Sequence, residues 1–270
     1  MNDVFETFKP KHPQVQPFVD YYYLDIKPDN QFHQFRCFPH ANNTISIYSS
    51  HKRLESGEMM FKATEEEYQI FTPIRDEVLH VRQLGMVHRI VIVFHPLGIQ
   101  QFYRDLSFDK LVSDYAFFEK DELASLFSTT DTEVLSSLLD DFLQKRYVKF
   151  EHQILEKSLR YILHHLDFFS VSQLSEHLKI SRQHLNRLFK SYLGVSAKKF
   201  QEIVLFRKTM NKRLFENSEE NFTKLAYEFN FNDQSHFNKT YKNLTNNSPR
   251  AFFNKGTILG KEDTFWHLNS

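Results

Sequence analysis

A single cysteine in 270 residues, Cys37, excludes an intramolecular disulfide and a zinc site built from cysteines. The longest purely apolar run, Ile90 to Phe94, has five residues, against the roughly 20 that span a bilayer. Met1 to Pro17 has no basic stretch leading into an apolar one, so nothing directs the chain out of the cytoplasm. There is no nucleophile motif, no phosphate-binding glycine loop and no HExxH, so no catalytic residue and no cofactor is assigned. Low-complexity stretches are absent too, and a chain with 41% hydrophobic and 25% charged residues should fold throughout.

Net charge is missing only on average. Residues 1–150 hold 16 Lys+Arg and 22 Asp+Glu, giving −6, while residues 151–270 hold 18 and 12, giving +6. The second half can attract a polyanion and the first would not be expected to lie on one.

The two halves also differ in pattern. Before residue 150, apolar residues occur in short β-branched or aromatic runs such as Phe18 to Leu24, Thr44 to Tyr48 and Arg89 to Phe94. Two helical patterns follow them, one around Gly98 to Leu106 and one from Asp131 to Tyr147. After residue 150 nearly everything reads as helix. An apolar stripe from Ile154 to Leu166 is broken at Asp167 to Ser170, and Ser172 is the expected cap of a short helix. Ser181 opens the next helix, Gly194 ends it as a left-handed residue, and Ser196 caps a long helix reaching about Glu216. Short helices then follow from about Phe222 to Phe229, from Asp233, and after Ser248-Pro249.

This second half repeats itself. His184-Leu185-Asn186-Arg187-Leu188-Phe189-Lys190 returns 52 residues later as His236-Phe237-Asn238-Lys239-Thr240-Tyr241-Lys242, and the same offset carries Ser196 onto Ser248 and Phe200 onto Phe252. A short helix, a tight turn and an amphipathic basic helix, occurring twice, describe a tandem helix-turn-helix.

Such a motif inserts the N-terminal part of its second helix into the major groove of double-stranded DNA. With Leu185, Leu188 and Phe189 turned inward, Gln183, Asn186 and Arg187 are left as base readers, and Arg182 and Lys190 as phosphate contacts. In the second motif the readers are Gln234, Ser235, His236 and Lys239, and the phosphate contact is Lys242. Two such helices on one rigid connector could enter successive groove segments, roughly 34 Å apart.

The segments Leu174 to Phe200 and Ala226 to Phe253 resemble the AraC/XylS type of transcription regulator, through Ser181, Leu185, Arg187, Phe189-Lys190, Gly194 and Ser196, and through Phe231, Asp233, His236-Phe237, Tyr241-Lys242 and Ser248-Pro249. Four positions depart from that pattern. Asn230 and Asn246 stand where glycine is usual, Tyr241 for phenylalanine and Ala197 for proline. Asn tolerates the left-handed conformation and Tyr keeps the aromatic plug.

The resemblance implies an α+β chain. A cupin-like N-terminal β-barrel with flanking helices (1–147) would sense an effector and dimerise, an all-α double helix-turn-helix (151–255) would bind DNA, and 256–270 would form a tail. It implies a small-molecule effector, a homodimer and, for an activator, contact with RNA polymerase.

Within the first half, Tyr22, Phe35, Phe71 and Phe94 are either lining for an effector pocket or plain barrel filling. His33, His40, His80, His88 and His95 raise the question of a metal, but no two form a close pair on one strand and no metal ligand is assigned. The alternative function is a cupin-type metal-dependent enzyme fused to a DNA-binding module. The apolar residues of the helix from Asp131 pack either on the barrel or on a second copy, and the tail, with Phe265, Trp266 and Leu268, is either frayed or pinned to a domain.

Overall fold

The computed structural model describes residues 3–29, 31–166, 169–216, 222–229, 231 and 234–254, and for the backbone alone 255, 257–258 and 265–268. Its N-terminal half contains nine strands: β1 (Val4–Phe8), β2 (Val19–Lys27), β3 (Phe32–Cys37), β4 (Asn43–Tyr48), β5 (His51–Arg53), β6 (Met59–Phe61), β7 (Tyr68–Thr72), β8 (Leu79–Leu84) and β9 (Val87–Phe94). They form two sheets, one ordered β1-β2-β9-β4-β7 and the other holding β3-β8-β6-β5. Every named pair is antiparallel except β6 with β8.

The pleat sends successive side chains of β2 and β9 to opposite faces, and both strands are buried at nearly every position, so both faces of the first sheet are buried. Tyr22, Leu24, Ile90, Ile92 and Phe94 belong to one core with Ile45, Ile47, Phe71 and the helices α1 (Lys120–Phe127) and α2 (Thr132–Arg146). Tyr21, Tyr23, Val91 and Val93 point the other way and pack against Phe35 and Cys37 of the second sheet. The expected mixed α+β class is present, with two facing sheets in place of one continuous barrel.

Helix α2 begins where expected, with Asp131 Oδ1 accepting from the Glu133 and Val134 amides. Leu135, Leu139, Phe142 and Leu143 are buried within the chain, so this apolar face packs on the first sheet. The helix expected around Gly98 to Leu106 is only a 3-10 turn, Ile99–Gln101. Helix α1 carried too short a pattern to be read from sequence, yet it has a capping box between Glu119 and Glu122.

The C-terminal half is helical: α3 (Gln153–His164), α4 (Val171–His177), α5 (Arg182–Leu193), α6 (Ala197–Asn211) running into a π-turn at Lys212–Glu216, α7 (Phe222–Glu228), α8 (Gln234–Thr245) and α9 (Pro249–Lys255). Helix α4 is capped by Ser170 rather than Ser172, because the helix starts two residues earlier than the apolar pattern suggested. Asp167, Asn230 and Asp233 lie outside the described residues. One core joins these helices, and it takes in Phe38, Ala41, Ile74 and Leu97 from the N-terminal half.

Two further strands, β10 (Thr257–Ile258) and β11 (Phe265–Leu268), extend the second sheet. β11 pairs antiparallel with β3, and β10 with β11.

Candidate nucleic-acid interface and cavity

The 52-residue repeat is a repeat of geometry. Helix α5 ends on Gly194 at φ +78° and α8 ends on Asn246 at φ +59°, two left-handed positions related by the same offset. Gly194 N donates to Lys190 O at 3.1 Å and Asn246 N to Lys242 O at 2.9 Å, so the same carbonyl is satisfied in each copy. Ser196 Oγ then accepts from Lys199 N at 3.2 Å, and Ser248 Oγ from Ala251 N at 3.3 Å. Phe189 and Tyr241, equivalent inward residues, are both fully buried, as are Phe200 and Phe252.

With those positions inside, α5 exposes Arg182, Gln183, Arg187 and Lys190, and α8 exposes Gln234, Ser235, Lys239 and Lys242. Arg187 Nη2 lies 3.0 Å from His184 Nδ1, one turn back on the same face, and Arg182 Nη1 donates to Ser172 Oγ at 3.4 Å. Asn186 and His236 differ from the rest. Asn186 is half-buried and its Oδ1 accepts from Ala197 N at 3.4 Å, which ties it to the start of α6. His236 is half-buried, with its ring 5.4 Å from that of Phe231.

Residues 174–255 match the family model described as a helix-turn-helix domain. They are an AraC-type helix-turn-helix domain. The chain is accordingly a DNA-binding transcription regulator. Among solved structures, it is similar to ToxT from Vibrio cholerae at 14% identity and a TM-score of 0.47, over 85% of this chain and 96% of that one. It is also similar to the unsaturated fatty acid bound wild-type ToxT of Vibrio cholerae strain SCE256, at 13% identity and a TM-score of 0.43, over 84% and 93% of the two chains. No curated protein matches.

The AraC-type domain packs tightly on the N-terminal half. A Cβ on Gly194 would lie 2.2 Å from Phe108 O, so glycine is required there by close approach as well as by its positive φ. Gln100 Nε2 donates to Tyr192 O at 2.7 Å. Arg207 of α6, itself buried, donates from Nε to Pro39 O at 2.6 Å and from Nη2 to Phe38 O at 2.8 Å. Phe38 and Phe252 meet edge to face, with centroids 4.8 Å apart.

Arg207 also borders a cavity of about 160 Å³ between the two sheets, lined among others by Tyr21, Tyr23, Cys37, His40, Arg75 and Arg89. That is roughly tenfold the space one water needs. Tyr22, Phe35, Phe71 and Phe94 do not line it. Tyr22, Phe71 and Phe94 face the helices on the opposite side of the first sheet, where Tyr22 Oη donates to Asp140 Oδ1 at 2.7 Å. Phe35 is packed between the sheets beside Arg89. The strand was legible but its parity was not, because β2 is buried on both faces.

Charge is concentrated in this interior. Arg89 is opposite Asp25 in the β2–β9 register, and its Nη2 donates to Asp25 Oδ2 at 2.7 Å with both side chains almost wholly buried. The rings of Tyr23, Phe35 and Tyr48 surround its guanidinium at 5.3, 5.6 and 5.6 Å. Among the described residues Arg75 has no carboxylate partner; its Nη2 donates to Cys37 O at 3.2 Å and its Nε is buried without a hydrogen-bond partner. Burial lowers the Arg75 pKa from its ordinary value, and it pushes the Cys37 thiol up to about 11. Sequence reading missed Arg75 and Arg207, since nothing local marks an arginine whose neighbours are supplied by the other half.

Among the described residues no three of His, Cys, Asp and Glu stand where they could hold a metal ion, and no helix is long and apolar enough to cross a membrane.

Proposed function

We propose that this regulator reads an asymmetric DNA site with α5 and α8, and that a small anionic molecule in the inter-sheet cavity sets its affinity for that site. The observation that supports the first part is the matched pair of exposed faces. Arg187 suits a guanine, Gln183 and Gln234 suit adenine, and Ser235 and Lys239 complete the second surface, while Arg182, Lys190 and Lys242 hold phosphates. Asn186 and His236 act at the edge of these faces, Asn186 through the amide it already caps.

Support for the second part comes from Arg75, a cavity-lining guanidinium without an acid, beside Arg207 of the reading domain. An anion there would supply the missing charge, and the apolar lining around Tyr21, Tyr23 and Val93 would take a hydrocarbon body. A ligand that touches both halves binds one relative arrangement better than another, which is what control of DNA affinity requires.

The enzyme alternative needs bound metal. Elemental analysis that finds one equivalent of iron, manganese or zinc in purified protein would favour it. The main reading is tested by selecting duplexes from a random pool and measuring binding to the winner. Arg187→Ala should weaken it by about 10- to 100-fold, the worth of one bidentate base contact. Decanoate should shift that affinity and inorganic phosphate serves as the second probe; Arg75→Met should abolish either shift and leave ligand-free DNA binding intact. Selection of no duplex would sink the reading of DNA, and an unshifted affinity with both probes would sink the anionic effector.

A further inference from the structure

Strand β3 is touched from four sides. It bonds to β8 within the second sheet, with Phe35 opposite Val81 and Cys37 opposite Leu79. Its last residue, Cys37, and the following Phe38 and His40 line the cavity. The Phe38 and Pro39 carbonyls accept from Arg207, and the Phe38 ring meets Phe252 of α9. On its outer edge lies β11, with Trp266 opposite Cys37, His267 opposite Arg36 and Leu268 opposite Phe35.

That last contact differs in kind from the others. Nine residues of chain separate Lys255, the end of α9, from Phe265. The backbone that leaves the second helix-turn-helix motif therefore returns to the N-terminal half and adds a strand to it. An outer strand edge is a ready template for pairing, and here the chain itself occupies it.

We propose that β11 is an intramolecular strap: it holds the second motif against the N-terminal half and so lowers DNA affinity until β3 lets it go. Reading two groove segments requires α5 and α8 to adopt the spacing set by DNA. Any contact that fixes the second motif elsewhere must break first, and its free energy is subtracted from binding. A ladder of three residue pairs is short enough to open in one step. The opposite net charges of the two halves add to the holding force. Because Cys37 and Phe38 border the cavity, a molecule that displaces them would loosen the same strand that the strap grips. This deepens the proposed function and rests on it.

The lone cysteine makes the strap testable. Directly opposed residues of an antiparallel pair have Cα atoms about 4.5 to 5.5 Å apart, within the span of a disulfide. Trp266→Cys supplies Cys37 with its one possible partner. Oxidation with copper phenanthroline should give a cross-linked monomer that runs faster on a non-reducing gel, and Leu268→Cys, opposite Phe35, should not. The oxidised Trp266→Cys chain should bind the selected duplex about tenfold more weakly than the same chain after reduction. A chain ending at Lys255 should bind at least as tightly as the reduced one.

A cross-link formed only between two chains, or none at all, overturns the strap. So does equal affinity of the oxidised and reduced forms. If no form selects a duplex, the DNA reading itself fails, and the cross-link still decides separately whether β11 pairs with β3.

Discussion

The two halves of this regulator place charge in opposite ways. The N-terminal half buries it: Asp25 with Arg89, Asp140 against Tyr22 and the Lys11 and His12 amides, and Arg75 against the Cys37 carbonyl. The helical half keeps an apolar inner face and puts most of its guanidinium, ammonium and amide groups outside on α5 and α8, with Arg207 and Gln201 of α6 buried and Asn186 half-buried. Buried charge costs desolvation and has to be matched partner by partner, which fits a site that selects one small molecule. Surface charge costs little and meets a long polyanion wherever it lies.

The contrast can be broken most severely at Arg89. Removing it as Arg89→Met leaves Asp25 buried without its partner, and among the described residues Lys27 at 3.8 Å is the one cation still paired with it. Loss of one member of a buried pair costs about 3 to 5 kcal/mol, which urea titration of the variant should register. The same exchange at exposed Arg182 or Lys190 should leave the midpoint unmoved.

A smaller effect is expected from acid. Burial lowers the pKa values of His51 and His88 from the ordinary histidine value, so the folded chain keeps them neutral where the unfolded chain takes up protons. Their contribution to stability is complete above about pH 6.5 and is lost as pH falls below it. Each should give a fraction of the roughly 1.4 kcal/mol per pH unit that a fully buried histidine would give. Denaturation midpoints between pH 7 and 5 should fall, and should fall less in His88→Gln; a slope unchanged in that variant would remove His88 from the account.

The smallest effect tests the outer charge. Lys190→Ala should reduce the slope of log affinity against log salt by about 0.9, the share of one phosphate contact, with little change in sequence preference. A change in preference instead would make Lys190 a base reader.

These contrasts also explain what could be read from the chain alone. The helix-turn-helix motifs are local objects, so the apolar period, the serine caps and the left-handed residues at 194 and 246 lie close together in sequence and announce themselves. The cavity is assembled from β2 through β9 and from α6, and no local pattern says that Tyr21 and Tyr23 face it while Tyr22 turns away. Burial on both faces erases the alternation that would have settled the parity. Arg207 looked like one more cation on an amphipathic helix, because the carbonyls it satisfies are 168 and 169 residues distant.

The left-handed ends of α5 and α8 carry a consequence for how the two motifs are related. Duplication makes copies that begin as equals, but these are no longer interchangeable parts. Position 246 accepts an asparagine, whereas any side chain at 194 would collide with the Phe108 carbonyl. The first copy has given up the freedom to vary at its helix end and become the fixed joint of the molecule. At the second, the left-handed backbone still narrows the choice, but it admits asparagine as well as glycine.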